Sequence, residues 1–147
     1  MTALRRMTAT FGIRELLLAV CVLFGAPCFA AGADFDGSRA LLCVPTDAIE
    51  CEGAGECDRT EVEHLNLPRF LTIDFKAKKL TGTVEGAENA DTAQIQNVEK
   101  LDTQTVLQGV QNGRGWSIVI DAATGDLSAA VAGDDISFVV FGVCQPK

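Results

Sequence analysis

The side chains able to do chemistry in this chain are few in kind: six cysteines, a single histidine and a surplus of carboxylates. Cys43, Cys51, Cys57 and Cys144 lie beyond an N-terminal apolar segment, and an even set of four suits two disulfides in an oxidising compartment. Three pairings are open. The rival use is a metal site built from Cys43, Cys51, Cys57 and His64. Its gaps of seven, five and six intervening residues lack the close Cys-x-x-Cys pairs that hold structural zinc. The missing Cys-x-x-Cys also removes thioredoxin-like exchange. No metal and no cofactor is expected.

His64 is the chain's one histidine, the residue type suited to work as a general base. It sits between Glu63 and Leu65 in a charged connecting segment, where a solvated surface position is the better reading. No Gly-x-Ser-x-Gly elbow, His-Glu-x-x-His helix or phosphate-cradling glycine loop is present. Asp121-Ala122-Ala123-Thr124-Gly125-Asp126 places oxygen ligands around a glycine but lacks the dense ligand ladder of a calcium loop, so turn chemistry is preferred. No motif favours a glycosidase pair. An enzyme is therefore the least supported class.

The carboxylates concentrate in one place. Asp47, Glu50, Glu52, Glu56, Asp58, Glu61 and Glu63 stand against Arg59 alone, a net −6 over seventeen residues. Such a segment steers toward a cationic partner, although charge runs are more often simply solvated faces. It is the candidate binding site.

The 147 residues are 48% apolar and 22% charged, which suits a single globular domain. Arg5, Arg6 and Arg14 precede the apolar run Leu16 to Phe24, followed by Gly25, Pro27 and small residues at Ala30 to Ala33, the order of an export signal. The run is too short to span a bilayer, which needs about 20 apolar residues. Residues 1–30 are read as a signal peptide and 31–147 as one β domain, located in the periplasm or secreted. Removing residues 1–30 takes away three arginines and Glu15, leaving 9 Lys/Arg against 19 Asp/Glu, a formal −10. That balance excludes nucleic acid and anionic membrane surfaces as partners, and no transmembrane anchor is expected after cleavage.

The elements that must position these residues are strands. Phe70 to Phe75 alternates, with Leu71, Ile73 and Phe75 on one face. Further runs are Leu80 to Val84, Ile95 to Leu101, Val106 to Val110, Trp116 to Asp121, Leu127 to Ala132 and Ile136 to Val143. Glycine, asparagine and aspartate turns separate them, and Gly125 is expected at positive φ. Ala40 to Val44 adds an eighth strand. No stretch offers the helix that parallel crossovers require, so the expectation is an all-β, antiparallel, eight-stranded meander, a barrel in preference to a sandwich. In a barrel the first and last strands are neighbours. Cys43 and Cys144 would then pair and Cys51 and Cys57 would staple the acidic loop, with the other pairings still open. Leu71, Ile73, Phe75, Ile118, Ile120, Phe138 and Val140 are expected inside.

The opening Phe35-Asp36-Gly37-Ser38 with Leu41-Leu42-Cys43 and Ala48-Ile49-Glu50-Cys51 resembles small exported bacterial proteins that are uncharacterised. So do Arg69 to Phe75, Leu107-Gln108-Gly109 and the ending Phe141-Gly142-Val143-Cys144. The resemblance covers nearly all of residues 31–147 and implies export without carrying an activity across. In size and in its cysteine-closed meander the chain is also loosely similar to periplasmic lysozyme-inhibitor barrels. Their Ser-Gly-x-x-Tyr type of signature needs a tyrosine, which this chain lacks.

Two functions fit these readings. The first is a non-catalytic exported binding or inhibitor module that meets a basic protein through its acidic loop. The alternative is a small carrier that holds an apolar ligand inside the barrel. Processing is directly testable: intact mass of the exported protein is expected to begin at Ala31 or Asp34, and a mass that includes residues 1–30 would refute the leader assignment.

Overall fold

The computed structural model describes residues 35–53, 55–83, 90–134 and 136–147. The expected leader, residues 1–30 with Cys21 and Cys28, lies outside the described residues, as does Asp135 of the Gly133-Asp134-Asp135 turn. The described residues fall within one compact unit, Ala33–Lys147.

Turn residues cut the chain into short extended runs, and almost every run becomes a strand. They are β1 Leu41–Glu52, β2 Cys57–Thr60, β3 Phe70–Asp74, β4 Lys79–Thr83, β5 Asp91–Gln94, β6 Asn97–Lys100, β7 Gln104–Gln111, β8 Arg114–Asp121, β9 Asp126–Ala132 and β10 Ile136–Pro146. Among the described residues a single 3₁₀ turn, Val62–Leu65, interrupts them. All pairs are antiparallel, in the order β5-β4-β3-β1-β10-β9-β8-β7-β6, with β2 attached to β1. The sheet curls into a half-barrel. Its two ends, β5 and β6, are consecutive in the chain and separated only by Ile95 and Gln96.

Among the described residues ten strands replace the eight expected from the sequence, for two local reasons. The expected first strand stops at Val44, whereas β1 continues through Pro45 to Glu52 and folds back as β2. The proline and the carboxylates hid this extension, because neither favours strands and the alternation breaks at a bulge between Pro45 and Asp47. The second reason is a bend. Ile95 N–H donates to Lys78 O and Gln96 N–H to Gln108 O, so the chain turns from its β4 neighbour to its β7 neighbour within two residues. Asp91 to Gln94, which falls between two of the expected runs, is thereby a strand of its own.

The bulge explains a glycine. Gly142 pairs with Pro45, and a Cβ at Gly142 would sit 2.5 Å from Val44 O and 3.1 Å from Pro45 Cα. Both obstacles are backbone, so only a glycine lets β10 pass the displaced turn of β1. Gly125 does adopt positive φ, +78°. Its N–H donates to Asp121 O and its carbonyl accepts from Cys144 N–H, tying the β8–β9 turn to the last strand.

Inward positions make two packed regions. The larger holds Leu41, Cys43, Ile73, Ile95, Leu107, Ile118, Ile120, Leu127 and Cys144, with Phe35, Leu71 and Phe75 packed against them. The smaller joins Ala48, Val62, Phe138 and Val140, covered by Leu65 and Leu67. The expected inward set is thus buried at Ile73, Ile118, Ile120, Phe138 and Val140, with Leu71 and Phe75 partly buried. Outward Phe141 and Val143 on β10 remain 43% and 50% exposed.

Both disulfides take the expected pairing. Cys43 and Cys144 face each other in the β1–β10 register, 101 residues apart, and Cys51 and Cys57 face each other across β1–β2, 6 residues apart. Loop-closure entropy values the long link at about 4.7 kcal/mol and the short one at about 2 kcal/mol. Replacing Cys43 and Cys144 together by alanine is therefore expected to lower the denaturation midpoint far more than replacing Cys51 and Cys57 together. Equal losses would mean that the β1–β10 seam does not govern stability.

Candidate functional site

A cavity follows from which side chains point inward. On β8 the alternation places Arg114, Trp116, Ile118 and Ile120 on the inner face; on β9 it places Leu127, Ala129 and Val131 there. Towards one end of the curled sheet the inward residues are small or β-branched, with Gly82, Ala93, Ala129, Val131 and Val140 in place of the leucines and isoleucines that fill the other region. Space of about 250 Å³ is left. Its walls are Cys43, Leu71, Leu80, Ile118, Leu127 and Phe138 together with those small residues. Its rim comprises half-buried and exposed lining residues, the Leu65–Pro68 connection together with Asp91, Gln111, Asn112 and Arg114. Apolar walls with a few polar groups at the opening are the usual composition of a small-molecule site, at the small end of the range.

Trp116 closes one side. It pairs with Gly109 across β7–β8, and a Cβ at Gly109 would meet its ring at 2.2 Å, so the indole lies directly on the glycine backbone. The indole N–H is buried and finds no acceptor among the described residues. At the rim, Gln111 Nε2 donates to Asp91 Oδ1 at 2.8 Å, and Thr92 N–H donates to the same oxygen at 2.9 Å. Both bonds fall on the same carboxylate oxygen. Arg114 has no ion pair or hydrogen bond among the described residues; its side chain lies along Gly133, where an added Cβ would come within 3.0 Å of its Cγ.

Composition never identified this cavity. In the sequence Arg114 falls within the turn Asn112-Gly113-Arg114-Gly115, and Leu67-Pro68 mark only a boundary of the acidic segment. The available signal was the run of small inward residues on β9, which becomes meaningful once the partner strands are known.

The acidic segment forms a separate feature. Asp47, Glu50 and Glu52 lie on β1, Glu56 in the connection, Asp58 on β2, and Glu61 and Glu63 at the start of the 3₁₀ turn. The Cys51–Cys57 link holds the two strands together at the tip. Arg59 pairs with Asp47 at 2.8 Å. Glu50 stands opposite Asp58 in the register, two like charges side by side. These residues are gathered on the β1–β2 hairpin and the 3₁₀ turn that follows it but do not line the cavity. His64 is exposed, 3.9 Å from Glu61 Oε2.

The Asp121 to Asp126 segment is a turn closed on itself. Asp121 Oδ1 accepts from Ala123 N–H and Thr124 N–H, both at 2.8 Å, and Thr124 Oγ1 donates to Asp126 Oδ2 at 2.9 Å. Among the described residues no three His, Cys, Asp or Glu side chains converge as metal ligands, and no helix is long and apolar enough to cross a membrane. No protein-family model matches the chain, and no curated protein matches it.

The N–H bonds from Thr124 and then Ala123 hold the Asp121 carboxyl below its ordinary value of 3.8. A carboxyl depressed in the folded state stabilises above its unfolded value, and that contribution is lost as pH falls through the folded value. Asp121→Asn is therefore expected to lower the thermal midpoint at neutral pH, with the gap to wild type narrowing below pH 3.8. A gap that stays constant into acid would show that the charge on Asp121 is irrelevant to the turn.

Proposed function

We propose that the protein is a non-catalytic, exported carrier that holds a small apolar ligand inside its curled sheet, which acts as a barrel open at one end. The observation that supports this reading is the cavity of about 250 Å³, walled by apolar side chains and reached past Leu65–Pro68 and the β7–β8 turn. Antiparallel sheets of this girth either fill their interior or hold one small ligand. Here one region is filled and the other is not. Two disulfides favour an oxidising location, the periplasm or the cell exterior.

A second reading assigns binding of a basic protein to the acidic hairpin: Asp47, Glu50, Glu52, Glu56, Asp58, Glu61 and Glu63. The specific observation in its favour is the Glu50–Asp58 pair, since like charges directly opposite one another destabilise a sheet. A disulfide beside them offsets that cost, and an inhibitor surface is one use for it. In that case amides at Glu50, Glu52, Glu56 and Asp58 would slow association with a lysine-rich peptide, and salt would do the same.

Trp116 is the chain's single tryptophan and lines the cavity, so its fluorescence reads ligand entry. Titration with 1-octanol, octylamine and octanoate is expected to give a saturable change with at least one probe. Ala129→Phe, which fills the space, is expected to abolish that change while leaving the thermal midpoint close to wild type or higher. If none of the three saturates in the wild type, the carrier reading fails and the hairpin reading stands alone.

A further inference from the structure

We infer that the cavity takes an anionic amphiphile, a carboxylate on a medium-length alkyl chain, with its head group on Arg114; the inference rests on the carrier reading and names the ligand class. Two charged side chains stand at the rim, and their states differ. Asp91 Oδ1 already accepts two N–H groups, from Gln111 Nε2 and Thr92. The Arg114 guanidinium has no partner among the described residues, although its five donors suit a carboxylate in a bidentate fork.

Its position matches the task. Arg114 and Trp116 are two apart on β8 and share its inner face, so their Cα atoms lie about 7 Å apart at roughly 3.3 Å per residue. A head group on Arg114 therefore sits one strand step from the cavity wall, and the tail continues past Trp116 toward Ile118 and Ala129. Gly133, beneath the Arg114 stem, leaves that side chain room to lie along the β9–β10 turn, because any Cβ there would crowd its Cγ at 3.0 Å. Size limits the tail. At roughly 30 Å³ for each water-sized group, about 250 Å³ holds about eight such groups, which is a medium-length chain and excludes long-chain lipids from full burial.

The test compares the affinities of the exported protein for octanoate, 1-octanol and octylamine at neutral pH. Octanoate is expected to bind about tenfold more tightly than 1-octanol, the effect of one charge-assisted contact at a partly exposed site. Arg114→Gln is expected to bring octanoate to the 1-octanol value with 1-octanol unchanged, and Arg114→Lys to restore most of the preference. Equal binding of octanoate and 1-octanol by the wild type, tighter binding of octylamine, or equal loss of both probes in Arg114→Gln would each overturn the head-group assignment and leave the cavity as a ligand site. Failure of all three probes would instead remove the carrier reading itself.

Discussion

The seam between the first strand and the last is the constraint on which the rest of this molecule depends. β1 and β10 pair along nearly their whole length, from Leu41 opposite Pro146 to Glu52 opposite Ile136, and the Cys43–Cys144 link lies within that ladder. Without the seam, no ladder of paired strands would run from β3 and β4 to β9 and β8; the bend at Ile95 and Gln96, the Gln111–Asp91 bond and the packing of the interior would be all that joins them. Bringing together strands about 100 residues apart carries a large loop-closure cost, and a covalent link removes much of that entropy from the unfolded chain. The curl of the sheet, and hence the existence of an interior, follows from it.

Everything attached to the seam serves one of two ends. At one end the interior is solid: Ile73, Ile95, Leu107 and Ile120 fill it, and Phe35 lies against Gly125 as a plug. At the other end the inward residues shrink to alanine, valine and glycine, and the chain between β2 and β3 lays Val62, Leu65 and Leu67 over the remaining space as a partial cover. Arg114 and Asp91 then stand where solvent meets apolar wall. A small difference in side-chain volume along β9 is what separates a packed core from an open cavity.

Charge is distributed with similar economy. The hairpin β1–β2 concentrates acid on a tip braced by a disulfide, while Arg59 neutralises only Asp47. Arg39, Lys76, Lys78 and Lys100 gather instead around the β3–β4 turn, beside Asp74 and Phe75. Arg114 belongs to neither group. Among the described residues it stands without a charged partner at the rim, in a protein whose net charge is acidic.

The all-β class, the antiparallel pairing, the core face of β3, β8 and β10, and both disulfides were legible in the sequence. Period-two alternation and glycine turns are local properties, and two cysteines near the ends of a meander meet whenever its first and last strands do. The extension of β1 through Pro45 and the pairing of β2 were not legible, because proline and carboxylates look like loop until a bulge and a disulfide hold them in a ladder. The split of β5 from β6 at Ile95 was hidden for a related reason: one continuous stretch of chain changes partners there, and partners are a tertiary fact. The cavity belongs wholly to the tertiary structure. Ala93, Ala129, Gly82 and Arg114 come from four different strands, and only the register that sets them on one inner surface turns small residues into a space and an unremarkable turn arginine into its charged rim.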